Sequence, residues 1–168
     1  MTLPRVEDFT CTPNPKDDLD GYYAWQNFGG LTVAEAYTKF CESPHIYQED
    51  FMFMGDAAFV FYFPVIDQYL REVEPTYKDD PLYENDKQYP FDGETHILAH
   101  GIAEHISEKS PSVRPLYDQI IDLSHFILHG LENTPDDPDR AWSLGEIKTV
   151  WTDLLEKTVS LQQELLED

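Results

Sequence analysis

Apolar residues recur at steps of three and four along four stretches of this sequence, and the ends of those stretches carry cap residues or prolines. Together these features predict an all-α or predominantly α single domain, a helical bundle with long acidic connections. The size agrees, since 168 residues fit one hydrophobic core. So does the content: 41% hydrophobic and 14% aromatic residues supply enough apolar surface to offset the entropy of ordering the chain, despite its charge. No internal repeat or low-complexity tract intervenes. The expected organisation is an extended wrapping segment at 1–30, a helical segment at 31–73, a long acidic and aromatic loop at 75–93, and a three-helix segment at 94–168.

Residues 1–30 carry Pro4, Pro13, Pro15 and the Gly29-Gly30 pair, which punctuate regular structure, so this segment is expected to wrap the body. Tyr22, Tyr23, Trp25 and Phe28 should anchor it, because wet rings forfeit the apolar area they can bury. Thr32 with Glu35 three residues on reads as a capping box for a first helix, which ends before Pro44. A second helix is expected from Phe51 to Val73, kinked at Pro64 or beginning near it. A strand through Phe59 to Phe63 is the competing reading and would make the architecture α+β. A third helix runs from about Glu94 to Lys109. Ser112 caps a fourth, which extends to about Leu131 with Leu116, Ile120, Leu123, Ile127 and Leu131 along one stripe. The last, Ser143 to Leu166, carries a seam from Leu144 to Leu165 that packs on neighbouring helices or on a second copy as a homodimer.

Charge narrows the function classes. Eleven Lys and Arg stand against 33 Asp and Glu, a net charge of −22. Such a field repels phosphate backbones and anionic headgroups, so direct nucleic-acid binding and electrostatic membrane docking are disfavoured and a basic protein is the expected partner. Phe40 to Leu70 and Pro115 to Asp139 contain acids but no Lys or Arg. The longest apolar run, Ala57 to Ile66, is too short to span a bilayer. The first residues have no charged and apolar leader pattern, and Cys11 and Cys41 have no metal or redox spacing. A cytoplasmic protein with two free thiols is expected.

Motifs for chemistry are sparse. No P-loop, G-x-G-x-x-G or G-x-S-x-G occurs. Cys41 has His45 four residues on, but its acidic surroundings argue for a structural thiol rather than a nucleophile. The pairs His96/His100 and His125/His129 each place two imidazoles on one helical face, and if the rows faced each other they would make a helical-bundle metalloenzyme. Without H-E-x-x-H or Glu-x-x-His, solvent-facing rows are the preferred reading, and no metal or cofactor is expected.

The segment Trp25 to Leu70 contains W-x-x-F-G-G-L-T-V-A-E-A-Y, Y-Q-E-D-F-M-F-M-G and A-F-V-F-Y-F-P-V-I. It resembles a small bacterial family associated with immunity proteins of contact-dependent and secreted toxin systems. The resemblance implies a cytoplasmic protein that neutralises a toxin. With the charge, it makes a non-enzymatic antitoxin against a basic, nuclease-type toxin the leading expectation, and a DNA mimic that occupies a DNA-binding channel the rival. The partner-binding residues expected are the acidic, tyrosine-bearing connection Tyr77, Asp79, Asp80, Tyr83, Glu84 and Asp86, with Asp136, Asp137 and Asp139 second. The aromatic surface from Tyr47 to Phe53 is the fallback.

Overall fold

The computed structural model describes residues 2–12, 14, 17–76, 93–107, 110–134 and 141–167, and among them every regular element is helical. Phe59 to Phe63 lie inside a helix, which sets aside the strand reading and the α+β alternative.

The first thirty residues depart from the extended wrap that the sequence predicts. They form α1 (Val6–Phe9) and α2 (Leu19–Phe28). The reason is Asp18, whose Oδ1 accepts from the Gly21 N–H at 3.1 Å and caps α2, while its Oδ2 accepts from the Cys11 N–H at 2.8 Å. The anchoring expectation holds in part: Phe28 is fully buried and Trp25 packs on the core, but Tyr23 is 57% exposed.

Thr32 and Glu35 form the expected capping box at the start of α3 (Val33–Glu42). Gly30 before it has φ +77°, a left-handed turn that glycine adopts without cost. The Tyr62 hydroxyl fixes that turn from outside, lying 2.6 Å from the Phe28 carbonyl and 2.8 Å from that of Leu31.

After a short α4 (Pro44–Tyr47), the single helix expected from Phe51 to Val73 is divided into α5 (Asp50–Phe53) and α6 (Asp56–Thr76). The break falls at Gly55, whose N–H donates to the Phe9 carbonyl at 2.9 Å. A Cβ there would sit 2.6 Å from the Asp8 carbonyl oxygen, so α1 can approach only over a glycine. Pro64 neither ends nor begins α6. It sits on an exposed position, and the buried Phe59, Tyr62, Phe63, Val65, Ile66, Tyr69 and Leu70 around it outweigh its cost of ~3 kcal/mol in a helix interior.

The C-terminal helices follow the sequence reading closely as α7 (Gly93–Ser107), α8 (Tyr117–Glu132) and α9 (Ala141–Glu167). One detail differs: Ser112 does not cap α8, because a 3-10 turn, Arg114–Leu116, intervenes with Val113 and Leu116 buried. Helix α9 packs on both α7 and α8, α3 packs on α6, and α5 packs on α2 and α7, around one continuous core. Ile147, Trp151, Leu154, Thr158 and Leu161 are buried within this single chain, so the seam that could have served a second copy is occupied here. Trp151 Nε1 donates to the Thr95 carbonyl at 3.1 Å and ties α9 to the first turn of α7. The acidic stretches meet at Arg71, which bonds Asp67 at 3.0 Å and Asp122 at 2.7 Å and joins α6 to α8. Among the described residues, no helix is long and apolar enough to cross a membrane.

Candidate functional site

A groove of about 740 Å³ opens where α1, the start of α2, the α5–α6 junction and the end of α7 converge. Its rim is acidic, with Glu7, Asp8, Asp18, Asp20, Asp56 and Glu104, and no Lys or Arg lines it among the described residues. Its floor is apolar, with Phe9, Met52, Phe53 and Met54. Phe53 stays 41% exposed and so leaves apolar surface open to whatever enters. Carboxylates around a soft, polarisable floor suit a cationic side chain with a hydrocarbon stem.

Each part of this site follows from local folding. The short α1 places Glu7 and Asp8, and Asp8 accepts from the Arg5 N–H at 2.7 Å. Asp18 does its capping work from the rim; burial acts to raise its pKa, but hydrogen bonds from the Cys11 N–H and thiol and from the Gly21 N–H prevail and hold it below the ordinary carboxylate range. It therefore remains an anion at neutral pH.

His105, from α7, closes the inner wall. Its Nδ1 lies 2.9 Å from Asp56 Oδ1 and its Nε2 lies 2.8 Å from the Phe51 carbonyl oxygen, while the ring stacks on Phe59 with centroids 3.8 Å apart. A carbonyl can only accept, as can an ionised carboxylate, so both ring nitrogens donate when both bonds form with Asp56 ionised. This makes His105 a brace that holds α5 and α6 against α7, with Asp56 committed to it. Glu7, Asp20 and Glu104 are the exposed acids on the rim.

The partner-binding residues expected from sequence, Tyr77, Asp79, Asp80, Tyr83, Glu84 and Asp86 with Asp136, Asp137 and Asp139, lie outside the described residues. The fallback region fares differently: Phe53 is at the groove, while Phe51 is fully buried against Phe28 and Phe40. Sequence reading missed Glu7, Asp8, Asp18 and Asp20 of the rim because it makes the first thirty positions an extended strap. The available signal was the acid-rich run Asp17-Asp18-Leu19-Asp20, which reads as a helix N-terminus.

The four histidines do not gather. His96 and His100 face a groove against α9, whereas His125 and His129 sit exposed on α8. Among the described residues no three His, Cys, Asp or Glu side chains are grouped as metal ligands, so the four-histidine enzyme centre is not built. Burial pushes the Cys41 thiol up despite the bond from Tyr37, with Glu72 adding to the rise, so it is a thiol rather than a thiolate at neutral pH. No known protein family, curated protein or solved structure matches the chain, which leaves the groove's own geometry as the guide to function.

Proposed function

We propose that the chain is an acidic protein-binding inhibitor of the immunity or antitoxin kind, which neutralises a basic, nuclease-type toxin from the cytoplasm. The observation that carries this reading is the groove itself, a rim that is acidic and without Lys or Arg among the described residues, over a floor of methionine and phenylalanine, on a body of net charge −22. The field steers a cation-rich surface toward the groove, and the floor supplies desolvated contact for a docked side chain. The resemblance of Trp25 to Leu70 to toxin-immunity proteins supports the same reading, since Met52, Phe53 and Met54 of that segment form part of the floor.

The test is co-purification of the partner from the native host, then surface plasmon resonance against it across a salt series. Association should slow steeply with salt, and Glu7→Gln/Asp20→Asn/Glu104→Gln should slow it by about tenfold with little change in dissociation. Phe53→Ala should mainly raise the off-rate. Asp79→Asn/Asp80→Asn and Tyr83→Ala run beside them; if these carry the effects instead, recognition lies on the 75–93 connection. A partner that DNA displaces would mark a DNA mimic. A salt-independent on-rate unchanged in both acid variants would mean that the charge serves solubility.

A further inference from the structure

We propose that His96 and His100 form a binding site for a divalent ion of the zinc class, completed by a carboxylate of α9, independent of the acidic groove. The Nε2 atoms of the two rings lie 3.3 Å apart. Two imidazoles bound to one tetrahedral ion at ~2.0–2.1 Å have their ligating nitrogens at about that separation. In the metal-free protein one Nε2–H serves the lone pair of the other ring. An ion between them takes both lone pairs, and the displaced hydrogen moves to the Nδ1 of its own ring, leaving both imidazoles neutral.

The surroundings fit an ion better than a hydrogen-bonded pair alone. His96 and His100 open on a groove of about 550 Å³ that is also lined by Glu146, Thr149 and Asp153 of α9, with no Lys or Arg on it among the described residues. Because no third ligand already stands in place among the described residues, Glu146 or Asp153 would reach the ion by side-chain rotation, with water in the remaining position. Imidazole with carboxylate selects zinc, nickel or cobalt over magnesium and calcium. An ion so held would clip α7 to α9, which are in contact and are already joined by the hydrogen bond from Trp151 to the Thr95 carbonyl.

The experiment is isothermal titration of the full chain with zinc chloride in excess magnesium, which occupies simple carboxylate clusters, together with thermal melts. One ion should bind with micromolar affinity and raise the melting temperature. His96→Ala and His100→Ala, both on the accessible groove wall and checked by circular dichroism for fold, should each weaken binding at least about tenfold. His125→Ala/His129→Ala should leave that site unchanged. Glu146→Gln/Asp153→Asn should weaken it several-fold and remove the thermal shift. No binding in wild type, or zinc uptake unchanged in His96→Ala and His100→Ala, overturns the site. Loss in the histidine variants with wild-type behaviour of the carboxylate variant overturns the clip to α9.

Discussion

The core changes character along the chain. From α1 to α6 it is built of rings: Phe9, Phe28, Phe40, Phe51, Phe59, Tyr62, Phe63 and Tyr69 are buried, many in tilted or edge-on pairs such as Phe40 with Tyr69 at 4.8 Å. From α7 to α9 it is built of Leu98, Ile102, Ile106, Ile120, Leu123, Ile127, Ile147 and Leu154 around Trp151. Aliphatic side chains interlock along long helices and need no partner for a polar tip. The rings of the short α1, α2, α3 and α5 pack against one another and against those of the long α6, and the backbone between these elements is settled by a few polar bonds: Tyr62 to the Phe28–Leu31 turn, His105 to Phe51 and Asp56, and Gly55 to Phe9. Volume holds the second half, and placement by polar tips holds the first.

The largest effect that tests this contrast belongs to Trp151, fully buried at the meeting of α9 with α7. Trp151→Ala should cost about 4 kcal/mol, because a large cavity opens in an aliphatic layer that relaxes only partly. Trp151→Phe should cost about half of that, since most of the volume returns and only the bond to Thr95 is lost. Denaturant titration reads both, with an unchanged m-value expected. Equal losses in the two variants would put the hydrogen bond, not the volume, in charge and would erase the contrast.

In the ring-built half the order should reverse. Tyr62→Phe keeps the ring and the packing but removes the hydroxyl that reaches the carbonyls of Phe28 and Leu31, of which, among the described residues, only that of Phe28 keeps a backbone donor, the Leu31 N–H, at an expected cost of about 1–2 kcal/mol. The same change should loosen the Gly29–Leu31 turn, read as faster amide exchange there than in α8. A loss under half a kilocalorie, with exchange unchanged, would show that the rings place the turn by shape alone.

This division also explains what was legible in the sequence. Helices α7, α8 and α9 were readable because Leu98, Ile102 and Ile106, or Ile147, Trp151 and Leu154, repeat at steps that one helix must obey whatever surrounds it. Thr32 and Glu35 were readable because a capping box is local. The break at Gly55 was hidden, since the apolar spacing from Phe51 runs straight through it and the cause is α1, more than forty residues earlier. The groove was hidden for the same reason: Glu7, Asp20 and Glu104 share a rim only because α1, α2 and α7 converge on the α5–α6 junction. The histidine rows were legible only in part: periodicity paired His96 with His100, but where each row faces depends on tertiary packing, which puts His96 and His100 on a groove and leaves His125 and His129 exposed.

The smallest expected effect concerns Asp50, which opens α5 in the ring-built half. Burial pushes its pKa up to about 6, outweighing the hydrogen bond from Asn27 Nδ2 at 2.8 Å and the charge of Lys39, with Glu49 adding to the rise. A carboxyl whose folded pKa lies above its unfolded value of 3.8 holds its proton more tightly when folded. Stability from this group is therefore present at low pH and lost as pH climbs from about 4 to about 6. Asp50→Asn removes the penalty and keeps an oxygen to accept from Asn27. Because the side chain is only partly buried, the gain at pH 7.5 should be about 1 kcal/mol after discounting for solvent screening. The difference from wild type should shrink through that window and vanish near pH 4. Relief of general repulsion on a −22 body would also stabilise the variant, but that benefit would fade around the ordinary carboxylate pKa rather than near 6. Paired melts at half-unit pH steps locate the midpoint: a value close to 4 would assign the effect to the overall charge and not to the burial of this side chain.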